Sequence, residues 1–384
     1  MRRIDTWIGK PLIRLLAFVT SRSASLYGDS HPAGAPRRVI LTKFIGLGSV
    51  VLSLPLLKAL KESGAEIAFW SFEGQGELAR LSGYVDHVWT IKASARGFIP
   101  SLFKSWRAAR RFRADAFLDL EPTANFTSIL ARLSGAAMRV GFMSAKPLRE
   151  ALFTHLVSLT PERHMIENNL WMGRLAGLSS NVATSLPAVP DAISRIPDPI
   201  PSKAGRRRIV VNVNSSDLSW HRMWPVDHWI SLCEELLHDP AVDLVFPGAK
   251  SERDRVAEIV GRLGRPERVL NAAGRTSLTQ LVRLLKSADA VVSVDSGIMH
   301  LAAWAGAPLV GLFGPETPRL YAPRSANARV LWAGLPCSPC LSVAADKVTR
   351  CNDNQCMKRI SPDRVLVAVL SLLEERRPAV VKAA

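Results

Sequence analysis

Residues 291–315 read VVSVDSGIMHLAAWAGAPLVGLFGP, and this stretch restricts the chain to a small set of folds. An apolar, β-branched run over residues 291–294 stops at Asp295, Ser296 and Gly297, after which Ile298, Leu301, Ala302 and Ala305 recur at helical spacing. The pattern is a buried strand, a tight turn and a short helix. Gly306 suits the left-handed stop, Pro308 prevents continuation, and residues 309–313 form a second buried strand closed by Gly314 and Pro315. In open parallel sheets, ligands bind beyond the carboxyl ends of the strands, where Asp295, Ser296 and Gly297 are expected to lie. Gly297 leaves room for an anion at the free N–H groups of the helix, and His300 shares a helix face with Ser296. The plainer alternative is that Asp295 or Ser296 only caps the helix and that His300 is a satisfied, half-buried histidine.

A chain of 384 residues suits two domains, and 48% hydrophobic with 22% charged residues is a globular composition. The formal charge of +17 points to an anionic partner: a phosphorylated substrate or an acidic membrane surface. Nucleic acid is the weakest candidate, and none is expected as a partner, because no zinc-finger, RNP or recognition-helix signature accompanies the charge. Local basic clusters at Arg107, Arg110, Arg111 and Arg113, and at residues 206–208, read equally well as solvated faces. The segment 4–19 is apolar but interrupted by Asp5, Lys10, Pro11 and Arg14; it suits an interfacial helix or one packed on the protein's own surface, not a membrane span. A cytoplasmic protein peripheral to the inner membrane is the expectation.

A first strand at residues 38–43 runs into Gly46, Gly48 and Ser49, followed by a helix that has Pro55 early in it. Glycines ahead of a helix again suit an anion, but Val51 stands where the dinucleotide fingerprint needs a third glycine. A dinucleotide-dependent oxidoreductase is therefore only an alternative. Strands at 66–72, 85–91, 115–120 and 138–142 alternate with helices at 75–81, 99–112 and 125–133, which predicts a parallel sheet covered on both faces. Five prolines between 187 and 201 mark a linker, and the alternation restarts at 208–213, 242–246, 269–272 and 291–294. Ser277 and Gln280 are spaced as a capping box. The expected organisation is an N-terminal basic amphipathic segment (1–36), a Rossmann-like domain (37–186), a linker (187–205), a second Rossmann-like domain (206–361) and a C-terminal helix and tail (362–384). The last helix has room to pack back across the domains.

The stretch from Gly48 to Pro55, the run Arg222-Met-Trp224-Pro225, and Asp295-Ser-Gly-Ile-Met-His300 with Phe313-Gly-Pro315 resemble glycosyltransferase family 9, the lipopolysaccharide heptosyltransferases. The resemblance implies a GT-B fold: two Rossmann-like parallel-sheet domains facing a cleft. It further implies metal-independent, inverting transfer of a heptose from a nucleotide-diphosphate donor, typically ADP-heptose, to a lipid-linked or other glycan acceptor, with no cofactor. Carried over by position, Asp295, Ser296, Gly297 and His300 hold the donor's phosphates and sugar, with Gly48 in the corresponding turn of the first domain. Ser215 and Ser216 contact phosphate, Arg222 neutralises the leaving diphosphate, Glu252 holds ribose hydroxyls and Thr276 lies by the adenine pocket. Arg222 reads otherwise as a surface charge, and Glu252 as a first-turn acid.

The chain departs from the family at one position. The family's catalytic aspartate follows the glycine-rich turn, and here that position is Ser49, whose hydroxyl cannot act as a base at neutral pH. Glu121, closing the strand at 117–120, is the expected general base, with Asp119 as runner-up and Glu73 or a substrate group after it. Ser49 keeps a part in orienting the acceptor, and a non-catalytic sugar-nucleotide-binding protein is the second alternative. Cys337, Cys340, Cys351 and Cys356 allow a zinc or iron–sulfur site by spacing, but the expectation is a structural loop and no metal. Cys233 falls on an apolar helix face as a core residue.

Overall fold

The computed structural model describes residues 5, 13, 25–26, 34–144, 146–215, 220–342 and 348–376. The interfacial-helix expectation for residues 4–19, apart from Asp5 and Ile13, the phosphate contact at Ser216, and the tail from 377 lie outside the described residues. The chain divides into two compact units, Met1–Pro187 and Ala188–Ala384.

The first unit holds β1 (Ser25–Leu26), β2 (Arg38–Thr42), β3 (Glu66–Phe72), β4 (His87–Ile91), β5 (Ala116–Asp119), β6 (Met138–Phe142) and β7 (His155–Val157). They pair in parallel in the order β1-β7-β6-β5-β2-β3-β4. The second unit holds β8 (Arg207–Asn212), β9 (Val242–Phe246), β10 (Val269–Asn271), β11 (Ala290–Val294), β12 (Leu309–Phe313) and β13 (Ala328–Trp332), again all parallel, in the order β10-β9-β8-β11-β12-β13. Setting β1 aside, both sheets follow the Rossmann order, in which the first and fourth strands meet and the chain's direction of winding reverses. These meeting points are β2 with β5 and β8 with β11.

Both pairs are fastened at their starts by the same device. Asp115 accepts the backbone N–H groups of Arg37 and Arg38 at 3.0 and 2.8 Å, and Asp289 accepts that of Arg208 at 2.7 Å. An aspartate one residue ahead of the fourth strand thus accepts a backbone amide at the start of the first strand and sets their register. Every residue of β11 and β12 is buried. Their valines and leucines each contribute about 1.5–3 kcal/mol by leaving water, and the β-branched run at 291–294 makes a strand rather than a helix because both faces are covered.

The helix expected after Gly48 is two pieces, Leu47–Val51 and Leu54–Glu62, because Pro55 has no N–H to continue the ladder. The box at Ser277 and Gln280 forms, with bonds of 2.9 and 3.2 Å. Several elements have no counterpart in the sequence reading, three of them placed in or beside the sheets. The helix Met165–Leu175 is capped by His164 instead of a Ser, Thr, Asp or Asn, and β7 and β13 are short runs without clear alternation. The proline-rich stretch carries the helix Asp191–Arg195 and is strapped to the second unit: Arg208 bonds Asp198 at 2.7 Å, and Lys286 bonds Ser194 at 2.6 Å. The C-terminal helix Pro362–Glu375 places Val365, Val369, Leu372 and Leu373 in the second unit's core.

The carboxyl end of the β2–β5 pair is tied by a buried ionic knot. Arg149, fully buried, donates to Asp119 Oδ2 at 3.0 Å and to the carbonyl oxygens of Glu121, Phe142 and Ala124, while its guanidinium lies 4.8 Å from the Phe153 ring centre. Asp119 also accepts from Thr42 at 3.0 Å and Thr127 at 2.8 Å. Burial pushes the Asp119 carboxyl up to about 6 and draws Arg149 down, and each is the other's main counterweight. Arg149→Met should therefore cost about 3–5 kcal/mol, because it leaves an uncompensated buried carboxylate. Denaturant unfolding of Arg149→Met and of Arg149→Met with Asp119→Leu checks this: the double variant is expected to lose less than the single one.

Candidate active site

In the second unit the strand ends β10, β9, β8 and β11 carry the candidate donor residues in that order along one sheet edge. At the β8–β11 pair, Asn212 Nδ2 donates to Ser293 Oγ at 2.9 Å, to Ser296 Oγ at 2.8 Å and to the Asn214 carbonyl at 3.1 Å. Ser296 is the N-cap of the helix Gly297–Trp304 and accepts from Met299 N at 3.4 Å, so the capping role anticipated for it is real. Gly306 has φ 74°, the left-handed stop. Asp295 and His300 are both buried.

Arg222 stands over this helix start. It ends the turn Trp220–Arg222, is buried, and approaches Asp295 Oδ2 at 3.3 Å and Glu316 Oε2 at 3.8 Å. The arginine's Nε–H is not aimed at a hydrogen-bond acceptor, so the contact with Asp295 is ionic and not directional. Burial opposes the charge on Arg222, but Asp295 first, then Glu316 and Tyr321, outweigh it and hold the guanidinium above its ordinary range. The surface-charge alternative for Arg222 fails on this burial.

Glu316, only 1% exposed, was not legible from the sequence, because nothing in GPET marks which residue of the loop turns inward. Asn214 was missed as well. Both ends of its buried amide lack a hydrogen-bond partner among the described residues. A buried, unsatisfied amide costs about 1–3 kcal/mol, and its retention at a strand end points to a ligand.

On the other side, the β9 end turns through Gly248 into Lys250–Glu252, where Glu252 Oε2 accepts from Ala249 N at 2.6 Å. A Cβ on Gly248 would fall 3.0 Å from that oxygen and 3.1 Å from Asn214 Nδ2, so glycine lets the two side chains close in. Gly274 N donates to the Gly248 carbonyl at 2.8 Å, and this brings the β10 loop with half-buried Thr276 beside Glu252. Ser215 is buried at the β8 end.

The first unit has its own edge at the β2–β5 pair. Gly46 has φ 81°, and a Cβ there would lie 3.3 Å from Ser49 Oγ; Ser49 is half-buried and Gly48 buried. Glu121 reaches this edge, as expected of the general base, but its carboxylate turns inward. Its Oε1 accepts from Phe44 N at 2.6 Å and Ile45 N at 2.8 Å, and its Oε2 pairs with Lys43 Nζ at 2.9 Å. That is the geometry of a loop anchor, because both carboxylate oxygens are taken by Lys43 and the two amides and the group is 3% exposed. Asp119 lies deeper still, inside the Arg149 knot. Glu73, the first residue of the helix Glu73–Leu81, is exposed at the end of the neighbouring β3.

The five cysteines are free thiols, and among the described residues no group of three or more His, Cys, Asp or Glu is arranged to hold a metal ion. Cys356 is pushed up to about 11 by burial and then by Cys340 and the other two loop cysteines. The loop itself braces the β12 end, with Cys340 N and Leu341 N both donating to the Pro315 carbonyl at 2.9 Å. Cys233 is fully buried, as its helix face implied.

Residues 102–348 match the family described as glycosyltransferase family 9 (heptosyltransferase). Lipopolysaccharide heptosyltransferase 1 of Escherichia coli K12 is 24% identical, over 76% of this chain and 92% of its own length. Lipopolysaccharide heptosyltransferase 2 of Salmonella typhimurium is 33% identical, but over only 40% of this chain and 43% of its own. The chain thus spans less than half the length of that relative. The solved E. coli ADP-heptose lipopolysaccharide heptosyltransferase II shares the fold, with a TM-score of 0.69 at 22% identity, covering 88% of this chain and 99% of that one.

The orphaned amide gives a direct test. Asn214→Leu should leave the thermal midpoint unchanged or raise it, since no bond is lost, while a ligand that bonds the amide, probed with ADP in calorimetric titration, should bind about tenfold more weakly, the equivalent of a hydrogen bond near 1.4 kcal/mol. A lowered midpoint with ADP affinity intact would assign Asn214 to the scaffold.

Proposed function

This chain belongs to glycosyltransferase family 9 (heptosyltransferase) and has the GT-B fold, and from that premise we propose that it transfers a heptose from ADP-heptose to a lipopolysaccharide-type acceptor with inversion at the anomeric carbon. The observation that carries the reading is the buried Arg222, held by Asp295 and Glu316 over the start of the helix Gly297–Trp304. A guanidinium beside a helix N-terminus at one strand end is what a departing diphosphate requires.

In this reading Ser215, Ser216, Ser296, Gly297 and His300 hold the phosphates, and Arg222 takes up the charge that grows on the leaving ADP. Asp295 orients the sugar hydroxyls. Glu252 accepts the ribose hydroxyls, and Thr276 borders the adenine. The acceptor oxygen bonds to the anomeric carbon as the carbon–phosphate oxygen bond breaks on the opposite face, and the acceptor proton passes to a base. Glu121 is spent on Lys43, Phe44 and Ile45, so the base assignment moves to Glu73, and Ser49 orients the hydroxyl. Arg222, His300 and the helix amides supply the positive charge without calling on a metal.

The acceptor is lipid-borne in this reading, so the protein works at the cytoplasmic face of an anionic membrane as a peripheral enzyme. Among the described residues no helix is long and apolar enough to cross a membrane. A non-catalytic nucleotide-sugar binder is the second reading, favoured by Ser49 in the place of the family's aspartate. The oxidoreductase alternative finds no support in the comparisons.

Release of ADP from ADP-heptose, followed with a lipid extract as acceptor, tests the proposal. Arg222→Ala is expected to lower turnover by about 10²–10³-fold. Glu73→Gln should lower it by about 10²-fold with ADP affinity unchanged, whereas Glu121→Gln should appear first as a loss of about 3 kcal/mol in folding, because Lys43 is left buried and unpaired. Binding of ADP-heptose without turnover under any acceptor would leave the binder reading standing.

A further inference from the structure

We propose that the outward face of the helix Ala95–Phe112 docks on an anionic lipid bilayer, with Ile99 and Phe103 inserted between headgroups and the surrounding cations on the lipid phosphates.

The helix follows β4 and buries Phe98, Ser105, Ala109 and Phe112 against the first sheet, at the spacing of one helical face. The opposite face carries Arg96, Ile99, Pro100, Phe103, Lys104 and Arg107, three or four residues apart. Ile99 is 62% and Phe103 52% exposed, large apolar side chains that the described residues leave uncovered. Around them stand Lys92, Arg96, Lys104, Arg107, Arg110, Arg111 and Arg113, and residues 92–114 contain no acid. None of these cations forms an ion pair with a described residue. The Arg107 guanidinium lies over the Phe103 ring, 5.6 Å from its centre, so charge and aromatic share one patch of this face.

Apolar residues at the centre of a wholly basic helix face are the composition of an interfacial membrane helix. Charge complementarity excludes the obvious competitor, a second copy of this chain. Two such faces would set seven cations against seven. Nucleic acid would match the charge but has no use for an exposed isoleucine. The helix starts four residues past β4, so Ile99 and Phe103 lie toward the sheet edge that carries Ser49 and Glu73. Docking would therefore bring that edge to a lipid-borne acceptor. This purpose rests on the proposed transferase reading; the lipid contact itself does not.

Sedimentation of the full chain with vesicles tests it, using phosphatidylcholine alone and with phosphatidylglycerol added. The expected result is partition onto the anionic vesicles only, weakening with salt. Ile99→Asp with Phe103→Asp, and separately Arg96→Glu with Lys104→Glu and Arg107→Glu, should each lower partition about tenfold or more. Their thermal midpoints and ADP affinity should stay at the parent values, because every substituted side chain is exposed. Undiminished partition of both variants, no partition of the parent protein, or a parent dimer that the variants dissolve would each overturn the proposal. Full partition by a protein that binds neither ADP nor ADP-heptose would instead overturn the transferase reading and leave the docking face standing.

Discussion

The second unit depends on one amide. Asn212, the last residue of β8, spans to β11 and bonds Ser293 and Ser296 together, so the strand pair, the helix cap and the turn at Asp295 share a single fixed point. Parallel strands far apart in sequence have no turn of their own to set their register. Here Asp289 sets it at one end and Asn212 at the other. The rest of the edge inherits that precision: with Asp295 held, Arg222 has a defined counter-charge, and with Arg222 held, Glu316 can remain buried.

The first unit solves the same problem with charge. Asp115 clamps the start of β2, and the Asp119–Arg149 knot with the Glu121–Lys43 pair clamps its end. Buried ion pairs rarely add stability over apolar packing, but they penalise every misaligned alternative, because each lost partner leaves a charge in a low-dielectric interior. Glycine-rich turns need such bracing. Gly46 sits in a conformation that few other residues adopt, and the amides of Phe44 and Ile45 just before it are both held by Glu121. The turn is thereby set by a carboxylate whose two oxygens are both occupied by groups of the same loop.

Charge is distributed along the chain with the same division of labour. Inside, arginines 149, 208 and 222 are matched to Asp119, Asp198 and Asp295. Outside, the helix Ala95–Phe112 leaves its cations unmatched by described residues, and these contribute to the net +17. Matched charges shape the two edges, and unmatched ones are available to a partner.

By itself the sequence determined the alternation of strands and helices, the strand–turn–helix at Asp295 to His300, the capping box at Ser277 and the resemblance that placed Arg222 and Ser49, because each of these is written in residues close together in the chain. It could not decide where a polar side chain turns once the strands are in order. Glu121 read as the general base at a sheet edge and is a buried anchor, since Lys43 and the amides that capture it lie some 77 residues away, just past the end of the neighbouring strand. Glu316, Asn212 and Asn214 carried no local signal at all. Their roles follow from which strand ends become neighbours, and that is settled by sheet order, a property of tertiary packing that no periodicity records.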